Sequence, residues 1–136
     1  MRVIIMGCGR VGARLAGMLD SEGHTVGVID LRLDAFERLP AKFSGNTVLG
    51  EGIDYDVLRH AGIEQADAFL ALSNNDNSNI MASQIAKSVF HVGRVITRIY
   101  DPSRNQSFRA LGLETLCPTK LGVDRIEALL AIEVEA

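Results

Sequence analysis

An apolar run that ends in three spaced glycines lies at the start of the chain: Val3-Ile4-Ile5-Met6 leads into Gly7-Cys8-Gly9-Arg10-Val11-Gly12. The apolar, mainly β-branched residues favour an extended strand. The G-x-G-x-x-G spacing then lets the backbone turn sharply, approach a ligand closely and enter a helix packed on that strand. A strand-turn-helix of this kind buries its apolar faces only when further units stack beside it. The 136 residues suffice for one such domain, with no room for a separate catalytic domain.

The remaining sequence supplies those units. Residues 2–6 predict the first strand. Residues 11–21 predict a helix with Val11, Leu15, Met18 and Leu19 on its inner face and Gly23 as a left-handed C-cap. Residues 25–30 form a second strand, apolar until Asp30 at its end, as in a strand buried on both faces. A short helix over 33–42 carries Leu33, Phe36 and Leu39 and stops near Pro40. Strand 47–49 follows, then a helix capped by Asp54, with Val57 and Leu58 inward, ended by Gly62. Strand 68–72, a polar loop over 73–77 and a helix to about residue 90 come next. Strand 94–99, helix 103–111, strand 114–116 and a final helix from 120 to about 135 complete the pattern. That last helix carries Ile126, Leu129, Leu130 and Val134 at helical spacing. Strands alternating with helices predict parallel βαβ units, hence an α/β doubly wound sheet of about six strands with its ligand crevice at the strands' C-terminal ends.

Several residues fall at that crevice. The free amides of Gly7, Cys8, Gly9, Val11 and Gly12 and the positive end of the following helix suit a pyrophosphate or triphosphate. Arg10 places a guanidinium in the same turn. Asp30 lies 18 residues beyond Gly12, close to the spacing at which a carboxylate accepts both ribose hydroxyls and repels a 2′-phosphate, so NADP is disfavoured. Arg32 is near enough to soften that repulsion. Leu31 follows the acid. Glu51 and Gly52 after the third strand and Ser73 and Asn74 after the fourth could reach the adenine edge and the ribose-phosphate. Arg98, a charge near the end of a central strand, requires a partner, either a phosphate or Asp101. Cys8 reads as a small filler of the turn rather than a reactive thiol.

Other classes are disfavoured. The net charge of −3 and the lack of a Lys/Arg block argue against nucleic acid. The longest apolar runs fall far short of the roughly 18 residues of a membrane span. The strand pattern beginning at Arg2 leaves no room for a signal peptide, which predicts a cytoplasmic location. His24, His60 and His91 show no metal-ligand spacing, and no nucleophile elbow is present, so neither a metal nor a catalytic residue is assigned.

Four stretches together resemble the RCK domain, also called KTN or TrkA-N, of potassium channels and Trk/Ktr uptake systems. They are GCGRVG at 7–12, GHTVGVID at 23–30, GEGIDYDVLRHAGIEQADAFLAL at 50–72 and SNNDNSNI at 73–80. The resemblance spans most of residues 1–118. It implies a non-enzymatic, cytosolic nucleotide-sensing subunit, peripheral to the inner face of the membrane, that assembles with itself and with an integral-membrane channel or transporter. It implies NAD(H) or an adenine nucleotide (ATP, ADP or AMP) at the glycine turn, with Asp30 as the ribose acid and Arg10 and Arg98 as the family's arginines. It further implies a nucleotide-binding domain over 1–118 and a crossover or dimerisation helix over 119–136. Many members continue into a C-terminal lobe that this sequence does not include. Glu51 stands where the family usually has aspartate in Gly-Asp-Ala-Thr, and Gly52-Ile53 replaces Ala-Thr. Two alternatives stay open on the residues alone: an NAD-dependent oxidoreductase fragment, and a stand-alone redox sensor using Cys8.

Overall fold

A computed structural model describes residues 1–110 and 113–130. Its strands are β1 (Arg2–Met6), β2 (Thr25–Asp30), β3 (Asn46–Leu49), β4 (Ala68–Ala71), β5 (Arg94–Arg98) and β6 (Glu114–Leu116). Helices α1 (Arg10–Ser21), α2 (Tyr55–Ala61), α3 (Asp76–Ser88), α4 (Pro102–Ala110) and α5 (Pro118–Leu129) alternate with them, together with 3-10 turns at Leu33–Arg38 and Ile63–Gln65. All strand pairs are parallel, in the order β3-β2-β1-β4-β5-β6. This is the Rossmann-like doubly wound arrangement expected from the alternation. The order reverses between β1 and β4, so their C-terminal ends diverge and leave a crevice there.

The period-two alternation of β1 divides the core. Val3 and Ile5 pack with Val26, Val28 and Leu70 against Ala13 and Ala16 of α1. Ile4 and Met6 pack with Ile29, Phe69 and Ala71 against α2 and α3 through Leu58, Ala61, Ala82 and Ala86. Strands β1, β2 and β4 are therefore apolar on both faces, as their sequences require. The C-cap of α1 is a Schellman motif: Gly23, at φ 92°, donates to the Asp20 carbonyl, and His24 donates to that of Leu19. Asp54 caps α2 through the amides of Asp56 and Val57, and Gly62 ends it in the left-handed conformation.

Three expectations differ from the structure. Helix α1 turns Gly12, Ala13 and Ala16 inward, while Val11 and Met18 are half exposed; only Leu15 and Leu19 of the expected face pack on the core. Close approach of helix and strand admits no large side chain along the contact line, so the small residues take it. Residues 33–42 form not an α-helix but a 3-10 turn over Leu33–Arg38. The spacing of three there matches a 3-10 helix of three residues per turn, and Leu33 is exposed. Helix α5 begins two residues earlier than expected, with Pro118 at its first position. None of its residues is buried, so it does not pack on its own sheet. Leu111 of the expected 103–111 helix, and Val134 with the end of the final helix, lie outside the described residues.

Candidate nucleotide-binding site

The crevice is a cavity of about 840 Å³, within the usual size of a small-molecule site. The turn after β1 forms its floor. Gly7 has φ 109°, and a Cβ there would meet the Leu72 and Ser73 backbone at 2.7–2.9 Å. A Cβ on Gly12 would lie 1.9 Å from the Gly7 carbonyl oxygen, so α1 reaches β1 only with glycine at this position. Gly9 differs: its φ is −84°, and a Cβ there would meet nothing within 4 Å. Neither backbone conformation nor protein packing demands glycine at residue 9. The bare backbone instead faces open space at the N-terminus of α1, a cradle that a phosphate can enter.

Around this floor the fold gathers Gly7, Cys8, Gly9, Asp30, Leu31, Glu51, Gly52, Ser73, Asn74 and Arg98 as cavity lining. Arg10, Val11 and Gly12 form the first turn of α1 and do not line it, and the Arg10 side chain is exposed. The Asp30 carboxylate accepts from the Cys8 amide at 2.7 Å and from the Arg32 amide at 2.9 Å. It thereby ties the end of β2 to the glycine turn. A carboxylate has about four lone-pair sites, so capacity remains for a second set of hydroxyl donors.

Arg98 is buried, and Asp101 is not its partner. Its Nη2 donates to the carbonyl oxygens of Leu72 and Ser73, the latter at 3.1 Å, and its guanidinium lies 5.0 Å from the Tyr100 ring centroid. Asp101 instead accepts from the Ser103 amide at the start of α4. The Nε of Arg98 is buried without a partner among the described residues. A buried cation whose only hydrogen bonds go to neutral carbonyls, with one donor unsatisfied, is electrostatically suited to an anion in the adjoining cavity.

Two residues were missed in the sequence. Asn79, fully buried on α3, accepts from the Ser73 amide and hydroxyl at 3.0 and 2.6 Å and donates to the Ser73 and Arg98 carbonyls, each at 2.9 Å. It pins the loop after β4 to the end of β5. Asn79→Ala should lower unfolding stability by about 2–4 kcal/mol, because it strands buried donors and acceptors. Urea denaturation checks this, and an unchanged midpoint would contradict it. Arg38, in the 3-10 turn, reaches back to donate through Nη1 to the Cys8 carbonyl at 3.3 Å. Arg38 lies 30 residues from the carbonyl it touches, and Asn79 joins nearby Ser73 to Arg98, 19 residues away, so the long-range contacts had no local signal.

Burial raises the Cys8 thiol above its usual pKa; the Asp30 carboxylate adds to this and Arg38 opposes it. The side chain is fully buried, so the environment opposes a reactive thiolate. At the rim, Arg32 forms a two-pronged pair with Asp34 at 3.1 and 2.9 Å, which lowers the Asp34 carboxyl and raises Arg32. Both partners are solvent-exposed, and the pair adds little to stability. Among the described residues, no group of three His, Cys, Asp or Glu could hold a metal, and no helix is long and apolar enough to cross a membrane.

Similar proteins share this fold. The chain is 48% identical over 126 residues to the Trk system potassium uptake protein TrkA of Streptomyces coelicolor, covering 93% of this chain and 56% of that protein. It therefore spans little more than half of that relative's length. Among solved structures, the AMP-bound form of the Kef C-terminal domain of Shewanella denitrificans superposes with a TM-score of 0.73 at 20% identity, over 98% of this chain and 82% of that one. The GsuK channel bound to NAD superposes with a TM-score of 0.78 at 23% identity, over 96% of this chain and 23% of that one. At these identities the two structures establish a shared fold. The TrkA-N domain model matches residues 3–118, and the chain belongs to that family.

Proposed function

We propose that this chain is a nucleotide-sensing regulatory subunit of a membrane potassium uptake transporter or channel, and that it binds NAD(H) or an adenine nucleotide without transforming it. The observation that carries this reading is the convergence of three elements on one cavity: the open glycine cradle at Gly9, the Asp30 carboxylate and the Arg98 guanidinium with its unpartnered Nε. The turn amides would hold phosphate, Asp30 the ribose hydroxyls, and Arg98 a distal phosphate. Asp30 would repel a 2′-phosphate and so disfavour NADP. The AMP-bound Kef domain and the NAD-bound GsuK channel support the ligand class, and the TrkA relative supports the potassium system. A non-enzymatic role is supported by the match to the TrkA-N domain and by the TrkA relative.

Self-assembly is the second part of the reading. Leu121, Val123, Ile126 and Leu129 of α5, and Leu130 at its C-cap, are all more than half exposed. Beside α1, a second cavity of about 640 Å³, lined by Leu15, Leu70, Leu72, Ile96 and Leu116, lies open over β4 to β6. Only Cys117 separates β6 from α5, and none of the helix's residues is buried against this surface. We assign α5 as a dimerisation helix, with the assembly held at the cytoplasmic side of the membrane by its membrane partner. A nucleotide moves such an assembly only by binding its states with different affinities. Light scattering with and without ATP, ADP, NAD or NADH tests this. The intact chain should form a dimer or larger assembly, Ile126→Glu with Leu129→Glu should be monomeric, and each nucleotide should be recovered chemically unchanged. Turnover of a nucleotide, or an assembly indifferent to the α5 substitutions, would overturn the reading.

A further inference from the structure

The amides of the glycine turn attract an anion, but the turn also carries carbonyls, and a carbonyl at the cavity wall repels one. Cys8 lines the cavity, and Arg38 donates to its carbonyl through Nη1 at 3.3 Å, which offsets that group's negative end. Arg38 lines the same cavity as Asp30 and Gly9 and forms no ion pair among the described residues, whereas neighbouring Arg32 is committed to Asp34. Only one of a guanidinium's five N–H donors is used on Cys8, which leaves the fork free to receive a phosphate. Asp30 meets the Cys8 amide while Arg38 meets the Cys8 carbonyl, so the acid and the cation flank one residue of the turn. Arg98 stands apart from both, at the end of β5 beneath the loop of Leu72 and Ser73.

We propose that Arg38 is a ligand-binding residue of this site, masking the Cys8 carbonyl and holding the 5′-phosphate attached to the adenosine ribose, while Arg98 attends to phosphates farther along the ligand. The inference rests on the nucleotide-binding reading above. The ligand feature it names is the ribose 5′-phosphate that AMP, ADP, ATP and NAD share. Arg38 thus governs adenylate binding as such, and Arg98 governs discrimination by phosphate number.

Calorimetric titration of the full chain with adenosine, AMP, ADP, ATP and NAD tests the division of labour. Arg38→Ala should weaken AMP, ADP, ATP and NAD by a common factor of roughly tenfold, the loss of about one charge-assisted hydrogen bond, and leave adenosine unaffected. Arg98→Ala should spare AMP and weaken ATP. Should Arg38→Ala unfold, as judged by circular dichroism, Arg38→Met preserves the stem and carries the same expectation. Unchanged AMP affinity in the Arg38 variants, or a loss confined to ATP or equally large for adenosine, overturns the proposal. Failure of the unsubstituted chain to bind any of the five compounds instead removes the nucleotide-binding reading itself.

Discussion

Gly12→Ala should destabilise the folded protein by about 3 kcal/mol or more, a large share of a domain's total stability. The added methyl would lie 1.9 Å from the Gly7 carbonyl oxygen and 3.1 Å from its carbon, and both are backbone atoms. No rotamer change relieves this clash. Helix α1 must move away from β1, withdrawing Ala13 and Ala16 from Val3 and Ile5 and opening the turn that forms the cavity floor. Gly9→Ala is the matched control. Its φ of −84° suits alanine and its methyl would meet no protein atom, so stability should change by less than about 1 kcal/mol. The same methyl would occupy the cradle and exclude phosphate. Urea denaturation and nucleotide titration of the two variants should therefore separate a folding glycine from a binding glycine. Equal stability losses in both would contradict this assignment.

Asp30→Ala should weaken NADH and ATP by roughly 10- to 100-fold, the range expected for losing hydrogen bonds to a charged acceptor. Alanine removes the ribose acceptor and also releases the Cys8 and Arg32 amides, at 2.7 and 2.9 Å from the carboxylate in the intact protein. The turn loses its tie to β2, so a stability decrease of about 1–2 kcal/mol should accompany the binding loss. With the negative charge gone and Arg32 and Arg38 still at the rim, the penalty against a 2′-phosphate should shrink. The ratio of NADPH to NADH affinity should rise even as NADH binding falls. Parallel losses for the two cofactors would show that Asp30 does not set that preference.

The central strands β1, β2 and β4 were legible because both of their faces are buried. Val26, Val28 and Ile29 leave no solvent-facing row to confuse the pattern, and the run ends where Asp30 meets the crevice. The lining residues that follow from strand ends, such as Asp30, Glu51 and Ser73, were legible for the same topological reason. The inner face of α1 was not, since helical spacing highlights Val11 and Met18, whereas contact distance selects glycine and alanine. Arg38, and the link that Asn79 makes to the end of β5, were hidden by distance along the chain. Arg38 touches a carbonyl 30 residues away and Asn79 one 19 residues away, and no local pattern encodes either contact. Arg98 was recognised as needing a partner, but its burial against the Leu72 and Ser73 carbonyls depends on how β5 lies beside β4.

Amide chemical-shift mapping by nitrogen-proton NMR, with AMP added stepwise to the labelled chain, addresses the site itself. Saturable shifts should concentrate on Gly7, Cys8, Gly9 and Val11 of the first turn, on Leu31 and Arg32 beside the ribose acid, and on Ser73 and Asn74. Shifts absent at millimolar AMP in a folded protein, or clustered on α5 and the apolar surface over β4 to β6, would contradict an adenylate site built on the glycine turn.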